Sequence, residues 1–349
     1  MKRYLQAIGV TRGILVVFLL VLWAAGMAVG LELSPVLADC LVRTGMNGVL
    51  VLALVPAVRA GVGLNFGLPL GIVCGLIATV LPMNVGLRGW DCFAAALALA
   101  TLFGAIAGIG YAKLLERVPG EEMMVGVYVG FASVAAAAIL WLIVPVQNPE
   151  LLLPLGGKGF RQTLVLDGYF GRILDRVGQF KFGSGVFPTG LLVFWLSLCG
   201  LIAFFFRTRI GIALTAAGEN ARFARASGID VGRMRTVGVT LSTALAAVGI
   251  VVFSQSYGFV QLYKAPLLMA FPTVAALLIG GASVRHATIA HVIVGTFLFQ
   301  SVLTTALPLV NRIVTLSPNA SELSNIPEIA RLIISNGIIL YALTRKDST

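Results

Sequence analysis

Few residues of this chain have types and spacings that suit catalysis or metal binding. Ser184 lies between two glycines, and a serine acts as a nucleophile only with a base such as histidine within hydrogen-bond distance. His286 and His291 lie in HATIAH, without the glutamate of the HExxH zinc helix. The cysteines form no CxxC pair or other metal spacing: Cys40, Cys74, Cys92 and Cys199. The sequence therefore predicts neither an enzyme nor a metal site, and a disulfide between Cys40 and Cys92 is left open.

An ATPase site is also missing from the sequence. No GxxxxGK[ST] phosphate-binding loop occurs, and GGKGF at residues 156–160 is too short for one. If the chain takes part in active transport, we expect a partner to supply the energy.

The composition is that of a membrane protein. Hydrophobic residues make up 58% of the 349 residues, and the mean hydropathy is +0.98. Charged residues make up 11%, whereas soluble domains hold about 25%. The net charge of +11 does not indicate a nucleic-acid partner, because the basic residues are spread along short connectors.

Apolar runs long enough to cross a bilayer recur along the chain and predict an all-α polytopic fold of about ten transmembrane helices. The region after the second span is broken by glycines. The predicted spans are residues 13–31, 46–62, 67–82, 90–112, 123–145, 187–206, 236–253, 268–282, 288–310 and 328–344.

The distribution of lysine and arginine predicts the orientation of this single transmembrane domain, residues 1–349. Most of these residues fall on the cytoplasmic side if both termini are cytoplasmic. The long connector at about 146–186 is then external, and the loop at about 207–235 is cytoplasmic. Ser184 and the two histidines would lie on opposite sides of the membrane, which argues against a serine hydrolase site, although a membrane scaffold or hydrolase is kept as a third hypothesis. We expect the first helix to be retained, not cleaved as a signal peptide.

Ionisable residues are nearly absent from the predicted spans. Arg59, Asp91 and Arg331 lie at span ends, and His291 lies near the start of the ninth span. Ion-coupled transporters generally need carboxylates or histidines at membrane depth. The pattern therefore disfavours an ion-coupled secondary transporter, which is kept as an alternative.

One compact basic segment, AAGENARFARASGIDVGRMR at residues 216–235, interrupts the apolar chain. Asn220 suits a helix N-cap, and residues 221–227 fit about two helical turns. Gly228 suits the left-handed position after a helix, and Asp230 suits the N-cap of the next one. Two interpretations are open: a basic loop that anchors topology, or a preformed helix that docks on a soluble partner through Phe223 and its neighbours.

This segment resembles the cytoplasmic coupling loop of permease subunits in bacterial ABC importers for simple sugars and nucleosides, relatives of the branched-chain amino acid permeases. The matching residues are Gly218, Glu219, Asn220, Ala224, Gly228, Ile229 and Val231. In that family the short helix sits in a cleft of the ATP-binding subunit. The resemblance implies that the following residues couple this chain to an ATPase: Gly218, Glu219, Asn220, Arg222, Phe223, Arg225 and Gly228. Phe223 departs from the family, in which a small residue is commoner.

Two more segments resemble the same family. GVGLNFGLPLG at residues 61–71 holds four glycines and a proline, which break a regular helix, and a plain turn is the alternative to a solute-lining break. LLIGGASVRHATIAHVIVGTFLFQSV at residues 277–302 is similar to the family's glycine-rich segment. From these matches we expect a translocation path lined by Asn65, Phe66, Gly67, Gly280 and Gly281.

The resemblance implies a permease without its own cofactor, in the bacterial cytoplasmic membrane. Its expected partners are an ATP-binding subunit that holds ATP and Mg²⁺, an identical or related second permease, an extracytoplasmic binding protein and membrane lipid, with no nucleic acid. An amide beside an aromatic ring favours a neutral polar solute, a nucleoside or related ring compound such as a flavin over a simple sugar. A branched-chain amino acid importer is a further alternative.

Overall fold

The structure, a computed structural model, describes residues 10–146, 148–152, 160–315, 329, 332–334 and 336–340. Most of the described chain is helical. The helices are α1 Val10–Ala28, α2 Leu33–Arg59, α3 Leu68–Asn84, α4 Gly89–Leu115, α5 Glu122–Ile143, α6 Thr189–Phe205, α7 Arg209–Glu219, α8 Ala221–Ala226, α9 Val231–Tyr257, α10 Ala265–Ile279 and α11 Ile289–Thr315. A 3₁₀ turn covers Pro149–Leu151, and the strands are β1 Thr163–Val165, β2 Phe180–Phe182, β3 Gly185–Phe187 and β4 Phe259–Gln261.

Several of these helices have the length and composition of membrane spans. Within the described residues five qualify singly, namely α2, α4, α5, α9 and α11. The pair α6 and α7 qualifies jointly but is bent by 77°. Residues 13–28 of α1, together with α3 and α10, are shorter apolar helices. The fold is thus a helical multi-pass membrane protein, and the number of ten spans stays a prediction.

Some predicted features lie outside the described part of the chain. The tenth span, residues 328–344, is described only at 329, 332–334 and 336–340, which are helical. Both termini and most of GGKGF at 156–160 also lie outside the described residues. The orientation of the chain stays a prediction.

Helices α2 and α9 form the centre of the bundle. Nearly every residue of 46–58 in α2 is buried, and so is most of 242–256 in α9. Glycines bring their neighbours close: a Cβ added to Gly75 of α3 would lie 2.2 Å from the carbonyl oxygen of Ala247. Small residues at such contacts allow helices to pack tightly in lipid.

Helix α2 begins at Leu33, earlier than the predicted residue 46. Asp39 and Arg43 lower the hydropathy of this first part and are both exposed, whereas Val36 and Cys40 are buried. An amphipathic extension therefore precedes the apolar span, and an apolar run alone does not reveal it. The four cysteines are buried free thiols, so Cys40 and Cys92 are not paired in this structure.

The predicted connector at 146–186 is folded over its described part. Strand β1 pairs antiparallel with β4, and Leu164 lies opposite Val260. The backbone N–H of Arg172 donates to the carbonyl of Gln255 near the end of α9, at 2.7 Å. The connector thus covers the end of the bundle at which α2 begins and α9 ends.

Candidate functional site

Helix α8 is a short helix with a defined cap at each end. The side-chain oxygen of Asn220 accepts a hydrogen bond from the N–H of Phe223 at 3.0 Å, as predicted for an N-cap. After the helix, Gly228 has φ +80, and Ile229 donates its N–H back to the carbonyl of Ala224 at 2.9 Å. This is the Schellman arrangement, which satisfies the last helical carbonyls. The sequence prediction of two caps is therefore confirmed.

The same short helix is fixed to α9. Asp230 caps α9 by accepting a hydrogen bond from the N–H of Arg233 at 3.0 Å. Ala224, Ala217 and Val231 are each at most 4% exposed and form a small apolar cluster between α7, α8 and α9. Residues 207–235, here named the coupling segment, therefore form a packed unit and not a loose basic loop.

One face of the coupling segment is open. Phe223 exposes 65% of its surface, and the side chains of Arg222 and Arg225 on either side are also exposed. Glu219 and Asn220 are exposed as well. An exposed aromatic side chain between two cations on a rigid helix has the chemistry of a protein contact.

Helix α7 was not predicted from the sequence. The hydroxyl of Thr208 caps it by accepting a hydrogen bond from the N–H of Gly211 at 3.3 Å. Its buried residues recur three apart at Gly211, Leu214 and Ala217. The Thr cap and this spacing are the signal, but a helix of 11 residues is too short to cross a bilayer, so a search for membrane spans passes over it.

Gly218 of the coupling segment contacts the glycine-rich break after α2. The break is the stretch of residues 60–67 between α2 and α3. A Cβ added to Gly218 would lie 2.0 Å from the carbonyl oxygen of Arg59, and one added to Gly61 would lie 2.8 Å from the Cα of Gly218. Gly61 also has φ +74, which other residues rarely adopt. The two backbones therefore touch at a point where neither side accepts a side chain.

Two arginines hold the same region from either side. Arg59 donates from Nε to the carbonyl of Ala287 at 2.9 Å, and its guanidinium lies 4.3 Å from the ring centre of Phe206. Arg235 of α9 forms an ion pair with Glu122 of α5 at 3.3 Å. The Arg59 contacts connect the end of α2 with the end of α6 and the loop before α11, and the Arg235 ion pair connects α9 with α5.

Asn65 lies at the centre of the break and is only 3% exposed. Its side-chain oxygen accepts from the N–H of Gly67 at 3.0 Å and from the hydroxyl of Tyr111 at 3.3 Å, and its amide donates to Ser242 of α9 at 2.8 Å. In this conformation Asn65 therefore caps the turn before α3 and bonds to α9. Within the described part of the chain, Asn65 lines neither the small cleft beside Phe66 nor either of the two large clefts at opposite ends of the bundle.

Phe66 and Gly67 lie beside Asn65 in different surroundings. Phe66 is partly buried, and its ring lies 6.0 Å from that of Phe271 in α10, beside an apolar cleft of about 30 Å³. A Cβ on Gly67 would meet the Tyr111 hydroxyl at 2.5 Å. The cleft has room for about one water molecule, so it holds no solute in this conformation.

Gly280 and Gly281 lie at the junction of α10 and α11. A Cβ on Gly280 would lie 1.9 Å from the carbonyl oxygen of His291, and Gly281 has φ +93. Gly280 thus permits close helix packing and Gly281 a turn. The structure does not bring them together with Asn65 in one cavity, and the translocation path stays a prediction.

The residues considered for hydrolase chemistry lie at opposite ends of the bundle. Ser184 lies within 2.9 Å of the Ser34 hydroxyl at the start of α2, whereas Ala287, next to His286, contacts Arg59 at its end. The 27 residues of α2 span about 40 Å. Among the described residues, no group of three or more His, Cys, Asp and Glu side chains is placed to hold a metal ion.

A cleft of about 570 Å³, here named the proximal cleft, opens beside the coupling segment. The cleft lies between the break and the coupling segment, and both acidic and basic side chains line it. Its lining consists of Gly61, Val62, Gly63, Gly120, Glu121, Glu122, Met123, Met124, Gly218, Glu219, Val284 and Arg285.

The family described as branched-chain amino acid transport system / permease component matches residues 36–343. The chain belongs to this permease family. All the candidate residues above fall within the matched range, and the match confirms the resemblance to ABC importer permeases that was seen in the coupling segment.

Curated relatives of this permease carry the description "Autoinducer 2 import system permease protein LsrC". The protein of Klebsiella pneumoniae subsp. pneumoniae is 32% identical over 165 residues, which are 45% of this chain and 46% of the relative. That of Shigella flexneri is 26% identical over 190 residues, 53% of each chain. The permease therefore spans about half the length of the curated relatives it matches. No solved structure matches it.

Proposed function

We propose that this permease is the membrane subunit of an ATP-driven ABC importer and that its coupling segment receives the motion of a separate ATP-binding subunit. The contact of Gly218 with Gly61 carries the proposal. Because these backbones touch, a displacement of the coupling segment must also displace the break after α2 or break the packing. The coupling segment also continues into α9, and Ser242 of α9 accepts a hydrogen bond from the Asn65 amide. This is a second connection between the segment and the same break.

The exposed face of α8 fits a groove on such a partner. Phe223 supplies an apolar anchor, and Arg222 and Arg225 favour acidic side chains at the rim of the groove. A topology anchor would need only the positive charge. The Asn220 cap, the Schellman turn and the Asp230 cap fix a shape that such an anchor would not need.

The transported solute in this proposal is a small neutral polar molecule. A nucleoside or a related heteroaromatic compound such as a flavin is our first choice, and a simple sugar is the second. The description of the relatives adds autoinducer 2 to the candidates. Asn65 contacts the solute only in a conformation in which its hydrogen bond to Ser242 or Tyr111 is broken. In that conformation the path is also lined by Phe66, Gly67, Gly280 and Gly281.

The complete importer in this proposal contains two permeases, identical or related, and an extracytoplasmic binding protein. ATP and Mg²⁺ bind to the ATP-binding subunits, and this chain holds neither. The permease lies in the bacterial cytoplasmic membrane, in contact with lipid, with both termini and the coupling segment in the cytoplasm.

Reconstitution in liposomes tests this function. The chain is combined with the ATP-binding subunit and the binding protein of the same importer, and uptake of adenosine, riboflavin, ribose and leucine is measured. We expect uptake of adenosine, riboflavin or ribose that requires ATP. Leucine uptake alone would favour a branched-chain amino acid importer. Uptake by the chain alone that stops when an ion gradient is collapsed would instead establish a secondary transporter.

A further inference from the structure

A second large cleft lies at the end of the bundle opposite the coupling segment. It has a volume of about 640 Å³ and is built from the start of α2, the folded connector and the end of α9. We name it the distal cleft. Its charged and polar lining includes Asp39, Arg43, Arg172, Asp175, Arg176 and Ser256.

The distal cleft carries an excess of positive charge. Arg43, Arg172 and Arg176 are exposed, and neither of the two ion pairs found among the described residues involves them. Of the two carboxylates, Asp175 already accepts a hydrogen bond from the Ser256 hydroxyl at 2.9 Å. Burial raises the pKa of Asp175. Asp39 is left as the exposed counter-charge.

Arg172 is held in an unusual backbone conformation. It has φ +55 and is the one non-glycine residue with positive φ in the described part of the chain. Gln255, fully buried at the end of α9, accepts the N–H of Arg172 at 2.7 Å and, through its side chain, the N–H of Leu174 at 3.2 Å. Strained residues of this kind persist where the surroundings fix them and often occur at ligand sites.

We propose that the distal cleft binds an oxyanion, a phosphate or carboxylate group, on the guanidinium groups of Arg43, Arg172 and Arg176. Guanidinium forms paired, charge-assisted hydrogen bonds to such groups. A free anion and the headgroup of an anionic phospholipid present the same chemistry. Binding here requires only this chain, so it is independent of the proposed transport function.

The experiment uses the full chain in nanodiscs. Affinity for inorganic phosphate is measured by calorimetry in phosphatidylcholine discs, and retention of phosphatidylglycerol is measured by native mass spectrometry after release from mixed discs. The variants are Arg172→Gly, which suits a positive φ, Arg43→Gln and Arg176→Gln. Lys181→Gln is the matched control, because Lys181 is exposed on β2 of the same connector and does not line the cleft.

We expect one of the two probes to bind and to weaken about tenfold in each arginine variant, with Lys181→Gln unchanged. Dependence of phosphate binding on the arginines identifies a free anion as the ligand. Dependence of phosphatidylglycerol retention identifies a lipid headgroup. If neither probe binds the wild type, or if the arginine variants bind as the wild type does, the proposal is wrong.

Discussion

Gly218 of the coupling segment and Gly61 of the break after α2 are in backbone contact, with no space for a side chain on either residue. Gly218 is the second-to-last residue of α7 and lies three residues before the start of α8. Gly61 precedes the turn that Asn65 caps. The surface available to a partner and the break in the membrane domain are therefore neighbours in space, although they lie far apart in sequence.

Substitution of Gly218 tests this contact. Gly218→Ala places a methyl group against the Arg59 carbonyl oxygen, which cannot move away as a side chain would, so α7 must shift. We expect a loss of stability of about 1–3 kcal/mol and a larger relative loss of ATP-driven uptake. Thermal unfolding and proteoliposome uptake provide the measurements.

Gly200→Ala is the matched control for that variant. Gly200 also lies within a helix, but a Cβ there meets nothing within 4 Å. Alanine favours the helix by roughly 1 kcal/mol, so uptake and stability should be maintained. Wild-type uptake by Gly218→Ala at wild-type stability would contradict the close contact.

The Asn220 cap supports a second prediction. Asn220→Ala removes the acceptor for the Phe223 N–H and should destabilise α8 by about 1 kcal/mol. Asn220→Asp keeps an acceptor in the same place and should restore the helix. Hydrogen exchange at residues 223–226 reports the helix, and the ratio of transport to ATP hydrolysis reports coupling. If Asn220→Ala speeds exchange and leaves this ratio unchanged, a rigid α8 is not needed for coupling.

Truncation of Phe223 separates docking from folding. Because 65% of its surface is exposed, Phe223→Ala should leave the unfolding midpoint of the isolated chain nearly unchanged while weakening its affinity for the ATP-binding subunit about tenfold or more. Phe204 of α6, 69% exposed, is the control residue. Phe204→Ala should keep full affinity. Equal losses in the two variants would show that exposure of an aromatic ring, and not its place on α8, determines the result.

Asn65 provides a prediction about the break. Asn65→Ala leaves Ser242 and Tyr111 without their bonds to this residue and should destabilise the fold by about 1–3 kcal/mol. If Asn65 only caps the turn, the variant should lower the uptake rate of every solute by a similar factor. A change in KM for one solute and not for another would instead show direct contact with the solute.

The pH dependence of stability tests the buried state of Asp175. Burial, as the largest effect, raises its pKa, so the folded chain holds this proton more tightly than the unfolded chain. Its contribution to stability is then greatest at low pH and declines as pH rises from the ordinary carboxyl pKa through the raised value. Asp175→Asn keeps an acceptor for Ser256 and should gain stability relative to wild type across that window. Parallel unfolding curves from about pH 4 to about pH 7 would contradict a raised pKa.

The sequence predicted the parts of this molecule that depend on local patterns. Apolar runs located most of the helices, and capping residues located α8. Both signals are carried by residues that are near one another in sequence. The contact between Gly218 and Gly61 could not be predicted in this way, since it depends on how α7 packs on the end of α2. Asn65 was identified as important, but its bonds to Ser242 and Tyr111 come from two other helices.

The most direct test of the coupling segment is photo-crosslinking of the assembled importer. Phe223 is replaced by p-benzoylphenylalanine, and Phe204 is replaced in a parallel sample. The account predicts a covalent product between position 223 and the ATP-binding subunit, and none from position 204. A product from position 223 with lipid or with an extracytoplasmic protein, and none with the ATP-binding subunit, would contradict it.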